Sequence, residues 1–264
     1  EDFFSPLSPS KRKFFFVAQA ALWVESLVLK SLKLIGVPKF RHIRIPQGTV
    51  LVHSGQHPLL NKIPWVMDFE QAAAIGWFER NVIDKPHVKK FFEWLFASDY
   101  CRGLLGWTSA ARQSLLNALD CSKFKDKIRT VHLTIVPQDR VDRSDRRGTV
   151  ELFFCSRNFY YKGGLDAVLA TSELAKSYDV HLTVVSNTPD EILRQYGDDP
   201  HITFRKQVST KERHALMHKA DIFLHPGHSE TYGFVMLEAF SFGLPVISTD
   251  GYSAPELVED GVRG

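Results

Sequence analysis

Cysteine is scarce in this 264-residue chain, with only Cys101, Cys121 and Cys155 present. The number is odd and no two stand at a metal-ligand spacing, so neither a disulfide framework nor a thiolate metal site is expected. A reduced, cytosolic setting fits that usage. A long apolar run is lacking too. In the segment KRKFFFVAQAALWVESLVLKSLKLIGV the longest uncharged stretch, Phe14 to Val24, is 11 residues, whereas a spanning helix needs about 20. Glu25, Lys30 and Lys33 follow at spacings that leave one apolar helical face. The segment therefore reads as a buried or amphipathic helix, or as a membrane-surface contact. No small-residue cleavage pattern follows it, which argues against a removed leader. Internal repeats and low-complexity tracts are missing as well. His53, His57, His225 and His228 fall on separate loops, a pattern that suits structural or solvent roles better than a shared metal.

What is present is an ordinary soluble composition, 44% hydrophobic and 24% charged, with a net charge of only +3. The charge is unevenly spread. Residues 1–147 hold 23 Lys and Arg against 14 Asp and Glu, a net of +9, while residues 148–264 hold 10 against 16, a net of −6. A basic first half suits an anionic partner such as lipid headgroups, a phosphorylated acceptor or nucleic acid; a solvated lysine-rich surface is the plain alternative.

The second half alternates apolar runs with helical patterns. TVELFFCS from Thr149, VHLTVVS from Val180, HITFRK, DIFLHP and PVISTD read as strands. Between them stand the helical segments GLDAVLATSELAKSY, PDEILRQYG, STKERHALMHKA and one from about Gly233 to Phe242. Ser209 and Glu212 form a capping box at the start of the third helix. Apolar strands separated by helices of this length predict a parallel, doubly wound sheet covered on both faces. The first half is less regular. TVLVHSG, PWVMDFE, RGLLGWTS and IRTVHLTIVP are strand candidates, with helices at HVKKFFEWLFA and SAARQSLLNAL. Polar, charged PQDRVDRSDRRG, Pro137 to Gly148, is the expected linker. It divides the chain into domains 1–147 and 148–264.

In an open parallel sheet, ligands bind beyond the carboxyl ends of the strands. Two features fall on that edge. In HPGHSETYGFVMLEAF, Glu230 follows a strand, Gly233 begins a helix and Glu238 lies within it. The amides of Gly233, Phe234 and Val235 can face an anion there. In CSRNFYYKGG, Arg157 and Lys162 follow the first strand of the half, and two cations suit a diphosphate. Either feature alone is commonplace, since acids and bases populate most solvated faces. Their meeting on one sheet edge is what points to a site.

The set Arg157-x4-Lys162-Gly163, Glu230-Thr-Tyr-Gly-Phe-x3-Glu238-Ala and Gly243-Leu-Pro-Val resembles family-4-type retaining glycosyltransferases of the GT-B fold (glycosyl transferases group 1). Order and spacing agree over roughly residues 149–262. The resemblance implies an α/β protein with two Rossmann-like doubly wound parallel-sheet domains facing across a cleft. It also implies a nucleotide-diphosphate-sugar donor held by the second domain. Arg157 and Lys162 would bind the diphosphate and stabilise the leaving group. Glu230 would contact the donor sugar and Glu238 the ribose, with Tyr232, Gly233, Phe234 and Val235 completing the donor site. The acceptor, a glycan, lipid-linked or small molecule, would enter from the first domain. Such enzymes are similar in needing no metal or other cofactor, in keeping with the lack of an Asp-x-Asp-like cluster near a strand end. No nucleic acid is expected. A cytoplasmic location, peripheral to an anionic membrane surface through the basic half, is the corresponding expectation.

The pattern departs from relatives in places. Glu70, in MDFEQ, stands where many carry an active-site histidine; it reads either as a base or hydroxyl ligand on the acceptor side, or as an ordinary strand-end acid. VVSNTPD replaces a glycine-rich turn, and GYSAPE replaces paired glycines. Relatives continue beyond EDGVRG, so a compact form or a fragment is expected. Two other readings stay open: a GT-B epimerase or phosphorylase, and a donor-binding protein without catalysis.

Overall fold

The computed structural model describes residues 36–138, 141, 143, 148–262 and 264. The apolar segment predicted as a helix or membrane contact, residues 11–37, lies outside them except for its last two residues. Two compact units make up the chain. One runs to Leu104 and includes Ser114–Ile128; the other comprises Leu105–Gln113 and Arg129–Gly264.

The first sheet takes the order β1 (Val52–Gly55), β2 (Trp65–Phe69), β3 (Cys101–Gly106) and β4 (Ile128–Thr130). β1 and β2 run parallel, with Val52 opposite Trp65. In β2 the alternate residues Trp65, Met67 and Phe69 are fully buried. Such period-two burial fixes the register, because a one-residue slip would turn all three to the other face. The short helices α1 (Ala72–Ile75) and α2 (Arg80–Ile83) precede α3 (Pro86–Ala97), and α4 (Ser109–Ala118) follows β3. Proline opens α3 at a position where its missing N–H costs nothing. The strand expected from Ile128 to Pro137 stops at Thr130. Val131 and Val136 beyond it are exposed, so no buried face rewards a longer ladder.

The second sheet is parallel throughout. Its strands are β5 (Val150–Ser156), β6 (Val180–Ser186), β7 (Ile202–Arg205), β8 (Ile222–His225) and β9 (Val246–Ser248), in the order β7-β6-β5-β8-β9. Helices α5 (Gly164–Leu174), α6 (Asp190–Tyr196), α7 (Thr210–Lys219) and α8 (Phe234–Ser241) alternate with them, and α9 (Ala254–Leu257) follows. The expectation of a parallel, doubly wound sheet is met. On β5, Phe153 points into one core with Phe223, Met217 and Met236, while Leu152 and Phe154 point into the other with Val168, Leu182 and Leu224. A central strand buried on both faces needs the unbroken apolar run that its sequence supplies. Of the capping box, the Ser209 half forms, its Oγ accepting from the Glu212 N–H at 3.2 Å. The Glu212 carboxylate pairs instead with Arg205.

The segment expected as a linker is anchored at Arg143. Its guanidinium donates to the carbonyls of Ala220 at 2.8 Å, Phe242 at 2.9 Å and Met217 at 3.1 Å. Those oxygens close α7 and α8, where helix carbonyls lack intrahelical partners and the dipole favours a cation.

Among the described residues, no helix is long and apolar enough to cross a membrane.

Candidate functional site

Starting from central β5, the chain winds outward through β6 to β7, returns to β8 and continues to β9. The winding direction reverses between β5 and β8, and the crevice beyond the carboxyl ends of such a pair is where open sheets take ligands. The loops leaving β5 and β8 meet there. A Cβ on Gly163, at φ +77°, would stand 2.1 Å from the Pro226 carbonyl oxygen, so only glycine permits the approach. The His228 N–H donates to the Tyr161 carbonyl at 3.2 Å and ties the loops a second time.

That approach brings Lys162 to Glu230. Lys162 Nζ donates to Glu230 Oε2 at 2.8 Å and to the Ser229 carbonyl at 2.8 Å. His225, the last residue of β8 and only 2% exposed, lies with Nε2 2.7 Å from the same carboxylate oxygen. Burial would raise the Glu230 carboxyl, but the hydrogen bonds from His225 and Lys162 outweigh it and bring the value down to about 2. Glu230 is thus ionised at neutral pH and can only accept, so Nε2 of His225 carries the proton. The imidazole stacks on Phe223, and its Nδ1 is buried with no hydrogen-bond partner among the described residues. Ser253, fully buried, donates its hydroxyl to the Glu230 carbonyl at 2.6 Å and fixes the backbone of the acid.

Glu238 belongs to a separate network. Arg213 grips it with two bonds, Nε to Oε2 at 3.0 Å and Nη2 to Oε1 at 2.8 Å, and His214 Nε2 lies 2.9 Å from Oε1. Burial opposes the charge here too, and Arg213 and His214 overcome it to hold the carboxyl below its usual range. Among the described residues the two acids of the motif therefore share no hydrogen-bond partner. Arg157 is exposed, and no carboxylate among the described residues pairs with it.

Gly233, at φ +87°, is the N-cap of α8, and the amides of Phe234 and Val235 open that helix. Lacking carbonyls one turn earlier, those donors are available to an anion. Tyr232 is 2% exposed; its hydroxyl donates to the Leu133 carbonyl and its ring meets Trp107 and Phe234. Phe234 keeps about half its surface exposed. Glu70 follows β2 directly in the first unit, and Asp68 on that strand meets His53 at 2.9 Å. Among the described residues, no group of three or more His, Cys, Asp or Glu is placed to hold a metal.

Sequence reasoning grouped Arg157, Lys162, Glu230 and Glu238 on one sheet edge, and the Lys162–Glu230 contact lies there. It missed His225, Arg213, His214 and Ser253. A strand-terminal histidine five residues before the acid, on the expected ligand edge, was a usable signal for the first. Nothing in the spacing announces the others.

The fold is of the GT-B type. A search of solved structures aligns the chain with TarM at a TM-score of 0.58 and 16% identity, over 81% of this chain and 44% of that one; a TarM variant has been solved in complex with UDP. Residues 138–264 match the model of the family Glycosyl transferases group 1. Among curated proteins, an uncharacterized 41.2 kDa protein in the cps region of Klebsiella pneumoniae is 28% identical over 161 residues, 56% of this chain and 43% of that protein. The glycogen synthase of Mycobacterium tuberculosis is 30% identical over 128 residues, 46% of this chain and 31% of the relative. The matched part spans less than half the length of either relative.

Proposed function

We infer that the chain carries a metal-independent, retaining glycosyltransferase activity that moves a sugar from a nucleotide-diphosphate-sugar donor to a glycan or lipid-linked acceptor. The observation that carries this reading is the Lys162–Glu230 pair, 2.8 Å apart and braced by His225, at the switch point of the second sheet. The similarity to a glycogen synthase supports the transfer of a sugar.

Lys162 has three N–H donors and spends two on Glu230 and Ser229. The third, with Arg157 and the amides of Gly233 to Val235, would take the diphosphate. Cations and a helix dipole aimed at a departing phosphate stabilise charge that grows in the transition state, which lowers the barrier itself. Glu230, held ionised near 2, is too weak a base to take a proton efficiently. It would accept hydroxyls of the donor sugar and steady the oxocarbenium-like centre. Glu238 would receive the ribose, and Glu70 the acceptor side.

A panel of nucleotide sugars in a thermal-shift assay should contain one compound that raises Tm by mass action. With that donor, Lys162→Ala and Glu230→Ala should each lower transfer by about a hundredfold or more. Full activity in both variants, or no stabilisation by any donor, would remove the basis of the reading.

A further inference from the structure

On the first unit an exposed surface combines aromatic rings with cations. Phe40, Phe91 and Trp94 form a continuous row, with ring centroids 5.5 Å apart for the first pair and 6.0 Å for the second. Trp94 is 64% exposed although it lies on a helix whose opposite side is core. Lys90, one turn before Trp94, shares its face of α3. The only acid of that helix, Glu93, has a carboxylate oxygen 3.0 Å from the Asp120 N–H, as its acceptor.

The strip beside Phe40 has the same character. Residues 37–51, VPKFRHIRIPQGTVL, contain no Asp or Glu and three Lys and Arg. Arg41, Ile43 and Arg44 are exposed, and no carboxylate among the described residues pairs with Arg41, Arg44 or Lys90. The strip is firmly seated despite its exposure. The Arg41 N–H donates to the Pro58 carbonyl at 2.8 Å, and the Leu60 N–H returns a bond to the Arg41 carbonyl at 2.9 Å. Buried Asn61 satisfies both backbone groups of Ile43, at 3.0 and 2.8 Å. With the backbone groups of Arg41 and Ile43 satisfied by the protein, this strip presents apolar and cationic side chains outward.

We propose that this face, built from Phe40, Ile43 and Trp94 with Arg41, Arg44 and Lys90, docks on an anionic lipid bilayer. Tryptophan and phenylalanine rings suit the boundary between headgroups and acyl chains. Cations that no carboxylate among the described residues pairs with suit an anionic leaflet, where each contributes roughly 1 kcal/mol. A protein partner of matching charge would want hydrogen-bonding counterparts along the strip, and its backbone has none left to offer at Arg41 and Ile43. The docking needs no sugar transfer, so it and the donor reading fail separately.

The test is flotation of the full chain with vesicles of phosphatidylcholine alone and of phosphatidylcholine mixed with phosphatidylglycerol. The wild type should float with the anionic vesicles at low salt, stay behind with the neutral ones, and be released as salt rises. Removing the charge of one cation should cost about fivefold in partition, so Arg41→Gln/Arg44→Gln should lose more than tenfold. Trp94→Ala should weaken binding at every salt concentration, and the tryptophan blue shift on binding should shrink in Trp94→Phe. All the altered side chains are exposed, and an unchanged melting curve verifies that each variant folds. Binding by the variants equal to wild type would overturn the proposal and assign the contact to another part of the chain, residues 1–35 included. Equal flotation with neutral vesicles, no flotation at all, or a dimer in solution that these substitutions abolish would overturn it too.

Discussion

Gly163 and Pro226 approach so closely that a methyl group on the first would overlap the carbonyl of the second, at 2.1 Å. Gly233 is also left-handed, but the atom its Cβ would overlap is the flexible end of Met236, at 2.2 Å, with Glu230 Cγ and Leu257 Cδ1 next at 3.3 and 3.4 Å. A rigid backbone carbonyl cannot yield as a methionine tip can. Gly163→Ala is therefore expected to destabilise by about 3 kcal/mol and Gly233→Ala by about 1–2 kcal/mol, the ordinary cost of a left-handed residue. Urea unfolding of the two variants measures the difference, and equal losses would contradict it.

Acid should weaken the protein through Glu230. A carboxyl held below its unfolded value stabilises the fold above that value, near 4.5, and loses the contribution as pH falls toward about 2. The full depression corresponds to about 3 kcal/mol. Unfolding free energies measured between those pH values should fall less steeply for Glu230→Gln than for the wild type. Parallel slopes would mean that His225 and Lys162 do not hold the charge.

All three thiols should be inert in the native state. Burial pushes Cys101 up to about 12, and Cys121 and Cys155 to about 11. Thiolate is the reactive species, so a disulfide reagent at mildly alkaline pH should modify none rapidly and three after denaturation. A fast-reacting native cysteine would refute the burial.

Arg143 should behave as a structural residue. Arg143→Ala removes a cation from three helix-end carbonyls and is expected to cost about 1–3 kcal/mol. Arg143→Lys, with a single compact ammonium, should recover only part of that. Thermal melts of both variants test this; no change in either would restore the segment to an untethered linker.

Much of the second unit was legible because its physics is local. A run such as VHLTVVS, with Val180, Leu182 and Val184 buried at alternate positions, has few alternatives to a strand, and β6 takes those residues and no others. Lys162 and Glu230 could be placed on one edge because strand ends and loop lengths determine it. Their contact, however, depends on Gly163 meeting Pro226, a tertiary event between loops. The partners of Glu238 were hidden for a similar reason: Arg213 and His214 read as the solvated face of a polar helix until α7 and α8 pack together. IRTVHLTIVP shows the opposite failure. Its composition promises a long strand, and without a buried face only three residues pair.

The Glu256 carboxylate accepts the backbone N–H groups of Ser109 and Ala110 at 2.7 and 2.9 Å, across nearly 150 positions of sequence. During synthesis the first turn of α4 must wait for these acceptors until the ribosome has delivered Glu256. Closure of that long loop would then come late on the folding pathway. A nascent chain halted before Glu256 would lack this clasp.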